Sequence, residues 1–249
     1  MSIGSVWNSN TFPGKAAVAV AAICSLAVAR DIPNRSDEPA NAATRAVSDE
    51  ARRILASIKK TEYKHKTDID EAKGQYYCDC SGFVGYVLNR TVAKDDPKGP
   101  LLDGDRRPVA AKFEKAFESA PETAEGADRW QRVARLVDAR PGDVIAWRHA
   151  VAKPGNTGHV VIVDARPVEE EGGLVRVVVI DSTTKPQVDD TRAAGTSGIG
   201  RGTMWFKVDA QGRPVAYVRG SRKARANEEP IAIGRAIPTA EKPAKRKAA

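Results

Sequence analysis

The sequence predicts an α+β fold in which N-terminal helices pack on an antiparallel sheet of about five or six strands. Two observations indicate this fold class. In the first half of the chain apolar residues recur at helical spacing, whereas from Pro141 onward short runs rich in Val and aromatic residues alternate with Gly, Pro and Asp turns. A block of helices followed by a block of strands, without an internal repeat, is typical of α+β domains.

Two helices are indicated first. Val47, Ala51, Ile54, Leu55 and Ile58 fall on one helical face, which predicts an amphipathic helix capped by Ser48 or Asp49. After a polar loop, the run Phe83, Val84, Val87 and Leu88 predicts a second helix. Two shorter helices are expected at 112–119 and 127–137.

The strands follow. Five short runs, separated by turn residues, predict an antiparallel set, and Pro230 to Ile237 is expected to add an edge strand. The five runs are DVIAW (143–147), HVVIVDA (159–165), LVRVVVID (174–181), TMWFKVD (203–209) and PVAYVR (214–219).

The chain is divided as follows. Residues 16–29 are an apolar run after Lys15 that ends in a small-x-small pattern, which predicts a signal peptide over 1–29; a buried N-terminal helix is the alternative. A linker at 30–47 then leads to a domain at 48–238, which carries an insertion at about 92–140. The Ala/Lys/Pro-rich segment 239–249 is expected to be a basic disordered tail. The predicted localisation is therefore periplasmic or secreted.

Charge and cysteine content narrow the function classes. The formal net charge is +8, but residues 221–249 contribute +5 and residues 1–29 contribute +1, so 8 − 5 − 1 leaves only +2 for the main body. A nearly neutral body with few aromatic residues argues against nucleic-acid binding. The three cysteines form no CxxC pair, so no disulfide scaffold, metal or cofactor is expected. No apolar run is long enough for a membrane span, and the chain is expected to be a monomer.

The expected strand register places a histidine beside a carboxylate. If strands 159–165 and 174–181 form a hairpin through a polar loop, pairing Asp164 with Arg176 puts His159 opposite Asp181. The Asp can then fix the imidazole tautomer and leave the other ring nitrogen free to act as a base. Taken singly, His159 reads equally well as a strand-end histidine and Asp181 as a turn residue. The valines expected to share this core-facing side are Val161, Val163, Val175, Val177 and Val179.

A thiol completes a candidate constellation. Cys80 precedes the predicted helix at Phe83, where unpaired backbone N–H groups and the positive end of the helix dipole favour a thiolate. The same amides can stabilise an oxyanion during acyl transfer. The alternative is a small buried hydrophobe.

These motifs resemble, in order, those of the NlpC/P60 family of papain-like cysteine peptidases. The four matching blocks are DCSGFVGYVL (79–88), PGDVIAW (141–147), GHVVIVDA (158–165) and VVVIDS (177–182), which frame most of the region 48–238. The resemblance implies a papain-like NlpC/P60 fold, with Cys80 as nucleophile and His159 as general base. Asp181 stands where the family usually has a histidine, and a carboxylate can also orient an imidazole.

The resemblance also implies a substrate site. Tyr63, Asp79 and Ser81 are expected to line it. Cys78 is unusual for the family, and a strained Cys78–Cys80 disulfide that silences the nucleophile is an alternative. His149 is the rival base, and His65 is either a cleft residue or a solvated one.

The resulting hypothesis is an exported cysteine peptidase that cleaves amide bonds in peptidoglycan stem peptides, often between D-glutamate and diaminopimelate in this family. Two alternatives remain. One is a related amidase or acyltransferase acting on a small molecule or lipid, and the other is a non-catalytic envelope-binding protein of the same fold.

Overall fold

The computed structural model describes residues 37–92, 102, 107–125, 127–153 and 155–238. The predicted signal peptide and the basic tail lie outside these ranges. The elements in chain order are α1 (Ala42–Ser57), β1 (Lys60–Glu62), β2 (Asp68–Asp70), β3 (Gln75–Tyr77), α2 (Cys80–Arg90), α3 (Ala110–Ser119), β4 (Trp130–Arg132), a 3-10 turn (Leu136–Asp138), β5 (Val144–Lys153), β6 (Asn156–Val163), β7 (Val168–Glu170), β8 (Leu174–Thr183), β9 (Gly198–Val208), β10 (Pro214–Val218), β11 (Ala226–Glu228) and β12 (Ile231–Ala236).

The strands form two sheets. A small sheet has the order β1-β3-β2 and lies where only a polar loop was expected. The large sheet has the order β11-β10-β9-β8-β6-β5-β12-β4, and β7 pairs with β8 beside β6. All pairings in the large sheet are antiparallel. The α+β class is therefore confirmed.

The large sheet is strongly curved. Trp147 of β5 stacks on Tyr217 of β10 with ring centroids 4.6 Å apart, although three strands separate β5 from β10 in the sheet order. The convex face is covered by the three helices, whose buried residues include Ile54, Phe83 and Phe113. The concave face forms a second apolar core. It contains all five valines that the alternating pattern assigned to one side of the sheet: Val161, Val163, Val175, Val177 and Val179.

The sheet is larger than predicted. It has nine strands within the described residues, because three strands of only three residues, β4, β7 and β11, extend it. Segments this short and polar carry no readable alternation. The expectation of an edge strand at 230–237 is also wrong, since β12 lies between β5 and β4.

Helix α1 begins earlier than predicted. Its N-cap is Asn41, whose side chain accepts a hydrogen bond from the N–H of Thr44 at 2.9 Å, while the Thr44 hydroxyl accepts one from the Asn41 N–H at 3.0 Å. This reciprocal box satisfies two otherwise unpaired N–H groups. The last residues of the predicted linker are therefore helical, and Ser48 is buried within the helix rather than at its end.

The second short helix, predicted at 127–137, is not formed. Residues 130–132 instead make strand β4 on β12, and only a single 3-10 turn follows. Trp130 packs on Phe117 of α3 with ring centroids 4.8 Å apart, so tertiary contacts override the helical spacing. Since Phe113 and Phe117 are fully buried, the part of the 92–140 insertion that α3 occupies belongs to the core.

The predicted hairpin register is wrong by two residues. Ile162 pairs with Ile180, and the start of β8 pairs with β7 through Val168 and Arg176. Asp164 binds Arg52 and Arg201 instead of Arg176. The expected polar loop contains β7, which takes the partners that the direct hairpin would have used. A shift of two residues keeps every side chain on its predicted face, whereas a shift of one would have reversed it.

Candidate active site

Strand β8 positions two parts of the site from its two faces. On the concave side it carries Asp181, which is fully buried. On the other side the Ser182 hydroxyl donates a hydrogen bond of 2.7 Å to the carbonyl oxygen of Cys78. Because Cys78 leads directly into α2, this bond fixes the start of that helix next to the strand end that carries Asp181.

Cys80 is the first residue of α2. Asp79 is the N-cap, and its carboxylate accepts hydrogen bonds from the Gly82 N–H at 2.7 Å and the Ser81 hydroxyl at 3.0 Å. As the first helical residue, Cys80 has a backbone N–H without an intrahelical acceptor. Its thiol forms no disulfide, and only 5% of the residue is exposed. The Cys80 sulfur, a nucleophilic atom, therefore lies at the positive end of the α2 dipole.

The structure brings His159 to both Asp181 and Cys80. His159 Nε2 lies 2.8 Å from Asp181 Oδ2, and Cys80 lies close enough to the imidazole to raise its pKa. Since Nε2 serves the carboxylate, Nδ1 is the ring nitrogen left for the thiol. Trp147 on the neighbouring strand holds the imidazole, with ring centroids 5.1 Å apart. The residues predicted as nucleophile, base and orienting acid thus meet at one point.

The protonation states follow from the charges in this cluster. Burial lowers the pKa of His159, but the charge of Cys80 and hydrogen bonds with Asp181 and Cys80 outweigh burial and raise the pKa to about 9. Burial raises the pKa of Asp181, but the hydrogen bond from His159 and the charges of His159 and Arg192 lower it to about 2. This arrangement favours an imidazolium at His159 beside an ionised carboxylate at Asp181.

Tyr63 lies beside the thiol. It follows β1, and its backbone N–H donates to the Ser197 hydroxyl at 3.1 Å. Burial, the neighbouring charges of Cys80 and Asp79, and a hydrogen bond with Cys80 raise the pKa of Tyr63. The phenol therefore stays neutral and can donate to a negative atom at the Cys80 position.

Asp79 and Ser81, which were expected to contact substrate, serve the helix cap in this structure. The outer oxygen of Asp79 also accepts a hydrogen bond of 2.9 Å from Arg107, which donates to Thr67 as well. His65 lies at the same edge, with Nδ1 3.5 Å from Asp79 Oδ2 and its ring edge-on to Tyr63. These contacts give Asp79 and Ser81 a role in placing Cys80.

The rival groups have other partners. His149 Nδ1 lies 2.9 Å from Glu229 Oε1, and the backbone N–H of Ala150 donates to the other oxygen of the same carboxylate. Cys78 is a free thiol with no exposed surface, not half of a disulfide. Burial, with the neighbouring charge of Asp79, raises the pKa of Cys78 to about 12, so this sulfur stays protonated.

Sequence reasoning missed the residues behind Asp181. Arg192 Nη2 donates to Asp181 Oδ1 at 2.9 Å, and the Gln187 amide donates to Asp181 Oδ2, also at 2.9 Å. Both residues come from a polar segment without periodicity. The available signal is the run of alternating glycines at 198, 200 and 202 on the strand opposite Asp181, because such a run marks the close approach of another segment.

Two cavities lie away from Cys80. One, of about 600 Å³, is bordered by Glu114, Arg148 and Arg213, and the other, of about 760 Å³, by Lys59, Tyr77 and Ser197. Among the described residues no cluster of three or more His, Cys, Asp or Glu is arranged to hold a metal ion. In the same residues no helix combines the length and the apolar character needed to cross a bilayer.

The chain was compared with models of protein families, with curated proteins and with solved structures, and none of them matches it.

Proposed function

We propose that this protein is an exported cysteine peptidase that hydrolyses amide bonds in the stem peptides of peptidoglycan. The proposed cysteine-dependent hydrolysis is supported by the position of His159 between Cys80 and Asp181. A thiol at a helix N-terminus, a base in contact with it and a buried acid on the far ring nitrogen together favour nucleophilic acyl transfer. The fold is proposed to be that of the NlpC/P60 family, which the sequence motifs resemble.

In the first half of the reaction the Cys80 thiolate attacks the amide carbonyl carbon, and a C–S bond forms. The oxygen becomes negative and is stabilised by the backbone N–H of Cys80 and by the Tyr63 hydroxyl. The His159 imidazolium then donates its Nδ1 proton to the leaving nitrogen. The C–N bond breaks, the amine departs, and a thioacyl-enzyme remains on Cys80.

In the second half His159 is neutral and accepts a proton from water at Nδ1. The resulting hydroxide attacks the thioester carbon, the C–S bond breaks, and the carboxylic acid leaves. Cys80 returns to a thiolate and His159 to an imidazolium, so the cycle needs no cofactor. Throughout, Asp181 accepts the Nε2 proton in a hydrogen bond and keeps the ring oriented without itself taking the proton.

The substrate class rests on the resemblance and on charge. In the NlpC/P60 family the substrate is peptidoglycan, and a signal peptide at 1–29 would deliver the enzyme to it. The positive charge is concentrated in residues 221–249, where it favours binding to an anionic envelope.

The test uses the mature protein, its Cys80→Ala variant and a matched Cys78→Ala control, each incubated with purified peptidoglycan. Mass spectrometry of the soluble muropeptides measures cleavage. We expect stem-peptide products from wild type and Cys78→Ala and none from Cys80→Ala. Binding without products supports an envelope-binding protein, and activity only on small amides or esters supports an amidase or acyltransferase; either result contradicts the proposal.

A further inference from the structure

The carboxylate of Asp181 binds a buried arginine, and that arginine binds a second carboxylate. Arg192 is 3% exposed at its side chain, and its guanidinium contacts Asp181 on one side and Asp190 on the other. Nη1 also donates to the carbonyl oxygen of Gly198 at 2.6 Å, and Nε donates to Asp190 Oδ1 at 2.7 Å. A buried arginine with this many partners is fixed in one orientation.

Two glycines on strand β9 make room for Arg192 and Asp190. Gly200 pairs with Asp181 across the ladder, and a Cβ at Gly200 would lie 2.4 Å from Arg192 Nε and 2.7 Å from its Cγ. At Gly202 a Cβ would lie 2.7 Å from both Asp190 Oδ2 and Gln187 Cβ. The two glycines therefore leave a slot on the concave face, and the segment 187–192 fills it.

The neighbours of Asp181 come from three segments of the chain. His159 faces it from β6, Gln187 and Arg192 face it from the 187–192 segment, and Gly200 on β9 presents no side chain. Asp190 stands behind Arg192, and its Oδ2 also accepts the Gln187 backbone N–H at 2.7 Å. Without Arg192, no cation would stand between the buried carboxylates of Asp181 and Asp190, and the pKa of Asp181 would rise.

We propose that Arg192, seated in the slot at Gly200 and Gly202, is a positioning residue that keeps Asp181 oriented toward His159 and ionised, and so maintains the Cys80 thiolate at acidic pH. The inference rests on the proposed nucleophile–base pair. When Asp181 is protonated, His159 loses its carboxylate partner and returns its proton to the sulfur. Arg192 therefore acts through Asp181, and the reactivity of the Cys80 sulfur reports its effect.

The experiment measures alkylation of Cys80 by iodoacetamide in the full chain, read by peptide mass so that other cysteines are counted separately. The readout is the ratio of the rate at about pH 5 to the rate at about pH 8. In Arg192→Met we expect this ratio to fall about tenfold or more, the change that one pKa unit produces. Arg192→Lys keeps the charge and should restore part of the ratio.

Two further variants keep the test decisive. Gly200→Ala leaves the arginine in the chain but displaces it, so the ratio should fall as in Arg192→Met; it decides the question alone if Arg192→Met does not fold. Arg201→Met is the matched control, because it removes the arginine that follows Gly200 on β9 and that binds Asp164 instead of Asp181. Its ratio should equal that of wild type.

A merely structural arginine would lower the melting temperature and leave the ratio unchanged, and that result overturns the inference. His159→Ala separates this failure from failure of the proposed function. If His159→Ala changes the ratio while Arg192→Met and Gly200→Ala do not, only the inference fails. If His159→Ala also leaves the ratio unchanged, the nucleophile–base pair itself is contradicted.

Discussion

Two histidines on the neighbouring strands β5 and β6 each pair with a carboxylate, and the two pairs differ in what surrounds them. His159–Asp181 and His149–Glu229 have almost equal N–O distances, 2.8 and 2.9 Å, and both rings are largely buried. The first pair has the Cys80 thiol close to its ring and a buried arginine bound to its acid. The second has the backbone N–H of Ala150 on its acid, which ties β5 to the segment before β12.

A histidine–carboxylate pair alone does not make an active site. A hydrogen bond between histidine and carboxylate is equally suited to joining two strands. What separates the pairs is the third group, Cys80, which lies in a helix N-terminus that the carbonyl of Cys78 anchors to β8.

Replacing the two histidines should have opposite outcomes. In His159→Ala we expect muropeptide release to fall about 10³-fold, because general acid–base transfer contributes roughly that much. His149→Ala should retain activity within about twofold of wild type, since its ring has no contact with the nucleophile. Equal losses in the two variants would contradict the assignment of the base.

The acid should act through the pKa of the base. Asp181→Asn keeps a hydrogen-bond acceptor for Nε2 but removes the charge, and we expect activity to fall about 10- to 100-fold. The hydrogen bond and charge of Asp181 help to raise the pKa of His159 to about 9, so the imidazolium of the variant should be lost at lower pH. The alkaline limb of the pH–activity profile should therefore move to lower pH.

The matched change in the other pair is Glu229→Gln, for which neither limb should move. A shifted limb in Glu229→Gln, or an unshifted one in Asp181→Asn, would remove the distinction between the two pairs.

The spacing of the strands that carry the histidines depends on Gly158. It has φ +142°, and a Cβ there would lie 1.9 Å from the carbonyl oxygen of Trp147. Gly158→Ala should force β5 and β6 apart and lower the free energy of unfolding by about 2 kcal/mol or more. Gly172→Ala is the control, because Gly172 also has a positive φ but an open environment, and should cost only about 1 kcal/mol. Urea unfolding measures both, and equal costs would contradict a close approach at Gly158.

The smallest effect is expected for the structural pair itself. Glu229→Gln should lower the free energy of unfolding by about 1 kcal/mol, the contribution of a typical hydrogen bond that is partly retained. Thermal unfolding measures it, with Glu228→Gln at the exposed neighbour as control. A loss as large as that of Gly158→Ala would show that this pair does more than join two segments.

The sequence carried enough information to bring the candidate triad together, although one step toward it was wrong. Alternating valines assigned the faces of β6 and β8, and side-chain alternation survives a register error of two residues, so His159 still reached Asp181. The error arose because β7 is three residues long and polar. Cys80 was recognisable from a local pattern, a thiol before a helical run.

The rest could not be predicted because it depends on contacts between distant segments. Arg192 and Gln187 belong to a stretch without periodicity, and only the fold of β9 shows that Gly200 receives one of them. Strand β4 at Trp130 likewise depends on its pairing with β12, whereas the Asn41 cap is a local box with Thr44 that the sequence does contain.

The most direct test of the central claim is the pKa of the His159 imidazole, measured by NMR in wild type and in Cys80→Ala. The chain has only three histidines, so His65→Gln and His149→Gln assign the signals. We expect a pKa near 9 in wild type and a clear decrease in Cys80→Ala, because Cys80 helps to raise the pKa of His159. The same pKa in both proteins would contradict a thiolate–imidazolium pair.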